Sequence, residues 1–147
     1  MKLQFLHPVA FVKDINVSRQ FYTGVLGLKI IEEHEVYILF EMHFSIHQAQ
    51  ALNKTVFGFE TDEALKHQGK NNILFYFETD DLEGMFLKIH DKIDLIHPIE
   101  RQAWGQRVFR FKDPDGHIIE IGEPLPNYAD WASYSGKYFG MQDSSKN

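Results

Sequence analysis

The pattern of apolar and polar residues runs through the same order twice along the chain. Residues 3–12 alternate weakly, which predicts a strand, and residues 28–48 contain three further short strand patterns. Between them, apolar residues recur at helical spacing after Asp14, a typical N-cap residue, and before Gly27, a typical C-terminal glycine. The order predicted for this half is therefore βαβββ.

The second half repeats the order. Residues 72–79 are rich in strong β formers and predict a strand. Asp80 or Asp81 then caps a helix whose apolar residues fall at i, i+3, i+4 and i+7, namely Leu82, Met85, Phe86 and Ile89. Three more strands follow up to residue 123. The residues of Asp113-Pro114-Asp115-Gly116 specify a type I turn between the last two.

A repeat of this size predicts one structural domain made of two βαβββ modules, at residues 1–48 and 72–123. The fold class is α+β: a mixed, saddle-shaped, eight-stranded incomplete barrel with the helices on its outer face. Residues 49–71 form the linker, which contains at most one helical turn at TDEALKH. Residues 124–147 form a C-terminal tail rich in aromatic residues, and its spacing leaves open whether it covers the domain or mediates association.

Composition removes several classes of function. The 147 residues carry 15 basic and 21 acidic side chains, a formal net charge of -6, without a Lys/Arg cluster, so nucleic acid is not an expected partner. The chain has no cysteine, which excludes disulfides and thiolate metal sites. No apolar run approaches a membrane span and the N-terminus does not resemble a signal peptide, so we expect a cytoplasmic protein.

Strand alternation places polar residues on the inner faces of the predicted sheets. Four strands contribute one each, which are His7, His47, Asn72 and Glu120. Arg110 takes the equivalent inward place on the seventh strand. Two imidazoles and a carboxylate from separate strands match a 2-His-1-carboxylate site for a divalent metal.

Each of these residues also has an ordinary structural interpretation. A single histidine in a strand is more often a hydrogen-bonded structural residue than a metal ligand. Glu120 alone would fit an edge strand that faces water, and histidine and glutamate side chains can satisfy each other directly. The residues taken separately leave both interpretations open.

Two segments resemble the vicinal oxygen chelate superfamily, which includes glyoxalase I, bleomycin-resistance proteins and extradiol dioxygenases. HPVAFVKDINVSRQFYTGVLGLKI (7–30) is similar to the opening of one module of that superfamily. WGQRVFRFKDPDGHIIEIGE (104–123) is similar to the DPDG hairpin and closing glutamate strand of the other module. The paired βαβββ arrangement covers residues 1–123.

The resemblance implies metal ligands on the first and fourth strands of each module, here His7, His47, Asn72 and Glu120. His47 replaces a glutamate of glyoxalase I, and Asn72 replaces a histidine. The implied ligands are therefore His7, His47 and Glu120, with Glu120 also catalytic and with Fe, Ni, Zn or Mn as the divalent metal.

Two functions follow as the main alternatives. In the first, a metal-dependent enzyme of lyase, isomerase or dioxygenase type acts on a small oxygenated substrate. Arg110 would pair with an anionic substrate group, Tyr76 would donate a hydrogen bond, and Asn72 would hold a bound water.

In the second alternative, a metal-free protein of the bleomycin-resistance type binds a small molecule in an aromatic groove supplied by Phe11, Tyr76 and Trp104. A third alternative is a structural or regulatory role. The resemblance also implies a homodimer, and the sequence leaves open whether His7 and Glu120 meet within one subunit or between two.

Overall fold

The computed structural model describes residues 1–125, and its elements follow the predicted order. The strands are β1 (Val9–Val12), β2 (Ile30–His34), β3 (Tyr37–Phe40), β4 (Phe44–Gln48), β5 (Leu74–Glu78), β6 (Asp94–Arg101), β7 (Arg107–Lys112) and β8 (Ile118–Gly122). The helices are α1 (Ile15–Gln20), continued by a π-helical turn (Phe21–Val25), α2 (Ala49–Phe57), a 3₁₀ turn (Asp62–Leu65) and α3 (Leu82–Ile89). Most of the predicted tail, residues 126–147, lies outside the described residues.

The strands form two four-stranded mixed sheets, in the orders β1-β4-β3-β2 and β5-β8-β7-β6. In each sheet the first and fourth strands of a module pair in parallel, and the other neighbours are antiparallel. The two-module α+β fold is thereby confirmed, and residues 1–125 do not form a closed barrel. Among residues 1–125, β1 and β5 are edge strands, so each leaves one row of backbone groups without a partner strand in that part of the chain.

Equivalent caps start the helices of the two modules. The Asp14 carboxylate accepts hydrogen bonds from the backbone N–H groups of Asn16 and Val17, at 2.9 and 3.2 Å. Asp81, rather than Asp80, caps α3 and accepts from the Gly84 N–H at 2.9 Å. Because side-chain acceptors at this place satisfy otherwise unpaired N–H groups, Asp14 and Asp81 mark the same point in the two modules.

The linker is more helical than the sequence pattern predicts. The expected single turn at TDEALKH is the 3₁₀ turn Asp62–Leu65, but residues Ala49–Phe57 form α2 as well. α2 starts directly after β4 and ends at Gly58, whose left-handed φ of 80° favours glycine. None of the helices within residues 1–125 has the length and apolar character that crossing a bilayer requires.

The apolar faces of both sheets pack into one continuous core. Its completely buried residues include Val12, Phe40 and Ile46 from the first module and Phe109 and Ile119 from the second. The rings of Phe44 and Phe75 connect the modules, with centroids 4.9 Å apart. Since alternate strand residues point to opposite faces, this core leaves the other face of each sheet for the predicted polar residues.

A buried polar cluster also joins the modules. The Asp113 carboxylate accepts hydrogen bonds from the Tyr22 hydroxyl at 2.6 Å and from His117 Nδ1 at 2.9 Å. It also accepts from the backbone N–H groups of Asp115 and His117, both at 2.9 Å. Burial, followed by the charge of Asp113, raises the pKa of Tyr22 well above its ordinary value, so the phenol keeps its proton and donates a hydrogen bond to Asp113.

The turn that carries Asp113 also holds the linker. Asp115 accepts from the backbone N–H groups of Lys13 and Gln68, at 2.8 and 2.9 Å, and burial raises the pKa of its carboxyl. The Gly69 N–H donates to the Asp115 carbonyl at 2.9 Å. The turn therefore contacts the end of β1 and the linker at the same time.

Gly69→Ala is expected to lower the free energy of unfolding by about 1–3 kcal/mol. A Cβ at Gly69 would lie 2.3 Å from the Gly116 carbonyl carbon, so the turn or the linker must move. Urea denaturation measures the change. The matched control is Gly24→Ala, because nothing lies within 4 Å of a Cβ at that position. Equal stability of the two variants would contradict the close backbone approach.

Candidate functional site

Four polar side chains lie in one line across the second sheet. Tyr76 on β5 pairs in register with Glu120 on β8, Glu120 pairs with Arg110 on β7, and Arg110 pairs with His97 on β6. Residues directly opposite each other on neighbouring strands point to the same face. These four residues, called the polar row below, therefore share the face opposite the apolar core.

The centre of the polar row is an ion pair. Arg110 Nε and Nη2 both lie close to Glu120 Oε2, at 2.6 and 2.5 Å. The side chains are only 22% and 10% exposed, so solvent screens this pair far less than a surface salt bridge. Glu120 is thus buried on the inner face where strand alternation placed it, and its charge is balanced within the sheet.

The remaining donors of Arg110 also have partners in the protein. Nη1 lies 3.1 Å from His97 Nε2, and both Nη1 and Nη2 donate to Gln102 Oε1 at 3.2 Å. A guanidinium has five N–H groups, and these contacts together with Glu120 engage all of them. Arg110 was predicted to bind an anionic substrate group. In the structure its guanidinium contacts Glu120, His97 and Gln102.

Gln106 connects Tyr76 and Trp104, two predicted binding residues. Trp104 Nε1 donates to Gln106 Oε1 at 3.0 Å, and Gln106 Nε2 donates to the Tyr76 hydroxyl at 2.7 Å. Tyr76 in turn donates to Glu78 Oε1 at 2.6 Å. Both rings are therefore held at one end of the polar row, whereas Phe11, the third aromatic residue predicted for the groove, lies on the first sheet.

A cavity of about 560 Å³ runs along the free edge of β5. Leu74, Tyr76 and Met85 of the second module line it, together with Pro8 and Phe44 of the first module. Its size falls in the range of sites for small organic molecules. Tyr76 belongs both to this cavity and to the polar row, so the cavity meets the row at its Tyr76 end, and neither Glu120 nor Arg110 is among the described residues that line it.

His7 lies beside Ser45 on the first sheet. The parallel register of β1 and β4 pairs Val9 with Ser45, and His7 Nδ1 is 3.1 Å from Ser45 Oγ and 3.2 Å from the Pro8 carbonyl oxygen. The imidazole of His7 is thus oriented through Nδ1 by the hydroxyl and the carbonyl.

His47 lies away from His7. It pairs in register with Phe11 and with Tyr37, whose ring centroid is 5.9 Å from its own. His7 contacts Ser45, which precedes His47 by two residues on β4, about 7 Å at the usual rise of a strand. His47 therefore belongs to another level of the sheet, next to aromatic side chains.

The equivalence of the two modules corrects the predicted ligand positions. His7 precedes the cap Asp14 by the same number of residues as Leu74 precedes the cap Asp81. In the second module Glu120 pairs with Tyr76, and the corresponding pair in the first is Ser45 with Val9.

The equivalent positions are therefore His7, Ser45, Leu74 and Glu120, instead of His7, His47, Asn72 and Glu120. Asn72 is exposed and lies just before β5. Strand alternation predicted which face of the sheet these residues occupy. It did not predict which residues of β1 and β4 lie side by side, because periodicity does not determine the register of a parallel pair.

These residues do not suit a divalent metal within one chain. Residues 1–125 contain no group of three or more His, Cys, Asp or Glu side chains arranged to hold a metal ion. The four equivalent positions offer one imidazole, one hydroxyl, one alkyl group and one carboxylate that is already paired with Arg110. The predicted set His7, His47 and Glu120 is not brought together in the described part of a single chain.

Sequence reasoning missed Gln102, Gln106 and the contact of His97 with Arg110. The sequence does contain a signal for the contact between Arg110 and Glu120. Both are the same number of residues from Asp115, and alternation places both on the inner face. A hairpin through the DPDG turn then brings them opposite each other. The two glutamines lie in the connection from β6 to β7, where no periodicity indicates a contact.

Comparison with known proteins agrees with this architecture. The model of the family described as "Glyoxalase-like domain" matches residues 5–126. The uncharacterized protein YraH of Bacillus subtilis (strain 168) is 29% identical over 130 residues, which cover 84% of this chain and 100% of YraH.

Two solved structures extend the comparison. A protein of unknown function from Agrobacterium tumefaciens str. C58 has a TM-score of 0.80 and 47% sequence identity, over 85% of this chain and 97% of that one. A lactoylglutathione lyase from Agrobacterium tumefaciens has a TM-score of 0.62 and 18% identity, over 82% of this chain and 92% of that one. The last likeness concerns the fold alone.

Proposed function

Because this chain belongs to the glyoxalase-like domain family, which the match over residues 5–126 shows, we propose that it binds a small organic molecule on the polar row of its second sheet without a resident metal. One observation carries the proposal: Glu120, the carboxylate at a ligand position of the family, forms a buried ion pair with Arg110. A buried carboxylate needs a positive partner, and Arg110 supplies it within the chain.

The surroundings of the ion pair support binding of a small molecule. Tyr76 and Trp104 are held by Gln106 at the end of the polar row, and Tyr76 also lines the cavity of about 560 Å³ along β5. Apolar and aromatic walls combined with a few fixed polar groups are the usual composition of such sites. This proposal corresponds to the metal-free alternative of the sequence analysis.

A metal-dependent enzyme acting on a small oxygenated substrate is the second candidate. The observation in its favour is that Nδ1 of His7 and Nδ1 of His47 both contact oxygen atoms of the protein, an arrangement that orients imidazoles for ligation through Nε2. With this candidate, Fe, Ni, Zn or Mn would be held by histidine of one chain and Glu120 of a second chain.

We also propose that the protein forms a homodimer. The N-terminal residues Leu3, Phe5 and Leu6 are 98%, 82% and 64% exposed, and the edge strands β1 and β5 each have one side without a partner strand among residues 1–125. Exposed apolar residues next to a free strand edge are typical of a protein–protein contact. A second copy of the chain offers the same residues and edges in return.

Amide-detected NMR with a mixture of small aromatic amines, alcohols and carboxylates, in the presence of EDTA, tests the proposed function. We expect at least one compound to shift the amide signals of Tyr76, Glu120 and Arg110, and we expect EDTA to leave that binding unchanged. If binding at these residues occurs only without EDTA, the metal-dependent candidate is correct. If no compound binds there in either condition, both functions are wrong.

A further inference from the structure

The contacts of Arg110 decide which kind of ligand the polar row accepts, and this inference rests on the proposed function. An anionic ligand needs a hydrogen-bond donor, and the obvious donor on this face is the Arg110 guanidinium. Its five N–H groups are already engaged by Glu120, His97 and Gln102. To bind an anion, Arg110 would have to give up part of a buried ion pair, which costs more than an exposed contact.

Glu120 offers the opposite possibility. Both contacts with Arg110 use Oε2, and Oε1 has no hydrogen-bond partner among residues 1–125. Within residues 1–125, Ser18 Oγ is the one side-chain polar atom that is both fully buried and without a hydrogen-bond partner. Oε1 of Glu120 has no such partner either, so it is not fully buried. Arg110 thus fixes the carboxylate through one oxygen and leaves the other available as an acceptor.

The rest of this face is also acidic. In the next level of the sheet, Glu78 pairs in register with Gly122, and Glu100 pairs with Val108. Glu120 and Arg110 compensate each other, and Lys112 pairs in register with Asp94 on the same face, so Glu78 and Glu100 leave a negative local charge. A cation is therefore attracted to the face and an anion is repelled.

Tyr76 provides an aromatic surface beside the carboxylate. Its backbone pairs in register with that of Glu120, and the residue is 36% exposed. Aromatic faces attract ammonium and guanidinium groups and pack against apolar ligand bodies. The adjoining cavity along β5 has room for such a body.

The geometry points to a small organic cation as the ligand of the polar row: an amine or guanidine with an aromatic or apolar body. Its N–H group donates to Oε1 of Glu120, its body packs beside Tyr76, and Arg110 acts as a positioning residue for Glu120. Neither the family membership nor the proposed function specifies this charge.

A pair of charge-matched probes tests the ligand class. Benzylammonium and benzoate are each titrated into the full chain in the presence of EDTA, and binding is followed by the amide signals of the polar row. We expect benzylammonium to bind there and benzoate to bind roughly tenfold to a hundredfold more weakly, the range for loss of a charge-assisted hydrogen bond.

Two variants locate the attraction. Glu120→Gln is expected to weaken benzylammonium binding by roughly tenfold or more. Glu60→Gln, whose side chain is 58% exposed in the linker outside the polar row, is expected to change it by no more than about twofold, because solvent screens its charge. If Glu120→Gln does not fold, the comparison of benzylammonium and benzoate on the unmodified chain still tests whether the polar row prefers a cation.

Preferential binding of benzoate at the polar row would contradict the inference of a cationic ligand and leave the proposed function intact. If neither probe binds at the polar row while another compound of the mixture does, only the inference of a cationic ligand is wrong. Absence of any binding at these residues would overturn both. Equal weakening by Glu120→Gln and Glu60→Gln would show general charge attraction instead of a contact with Oε1.

Discussion

Replacing Asp113 with alanine is expected to lower the free energy of unfolding by about 3–5 kcal/mol. The carboxylate holds the Tyr22 hydroxyl, His117 Nδ1 and two backbone N–H groups, and all of these groups are buried. Alanine removes the acceptor and leaves several donors without a partner. Each buried donor without an acceptor lowers the free energy of unfolding by part of its desolvation energy. Together these losses weaken the polar contact between the two modules.

Urea denaturation followed by circular dichroism measures this loss. Asp91→Ala is the matched control, because Asp91 is exposed and its replacement is expected to change stability by less than about 0.5 kcal/mol. Tyr22→Phe removes a single contact of the cluster and is expected to cost about 1–2 kcal/mol. Should Asp113→Ala be no more destabilising than Asp91→Ala, the cluster does not hold the modules together.

Replacing Arg110 with methionine is the second large effect, a loss of about 3 kcal/mol at neutral pH. Methionine fills part of the space of the arginine stem and removes its charge. Glu120, with 10% of its side chain exposed, then lacks its positive partner. The effect therefore comes from the carboxylate that is left behind as much as from the lost contacts.

The double variant Arg110→Met with Glu120→Leu distinguishes these causes. Replacing both members of a buried ion pair by apolar residues is often nearly neutral, so we expect it to be more stable than Arg110→Met alone. Chemical denaturation of both single variants and the double variant gives the coupling energy. Strictly additive losses would mean that Arg110 and Glu120 do not depend on each other.

The sequence predicts the elements of this fold well, because each has a local signal. Asp14 caps α1 as expected, the DPDG residues form the turn between β7 and β8, and Ile119 and Ile121 lie in the core with Glu120 facing the other way. These features depend on neighbours in the chain. Helix α2 is the exception: Ala49, Leu52 and Val56 fall at helical spacing, but residues 49–71 were predicted as a whole to form a linker.

The candidate site was predicted only in part, since its geometry depends on non-local pairing. Alternation placed His7, Arg110 and Glu120 on the inner faces, but it contains no information on the level at which β1 meets β4. The observed register puts Ser45 beside His7 and moves His47 next to Phe11. The proposed function changes accordingly, from a metal centre to a site built on an ion pair.

The most direct measurement is an anomalous difference map, recorded at the zinc absorption edge, from crystals grown with zinc. It shows bound metal at its ligands whether they come from one chain or from two. We expect no zinc within bonding distance of His7, His47 or Glu120, and we expect Glu120 to remain paired with Arg110. An ordered zinc ion held by His7 and Glu120 would contradict the metal-free site.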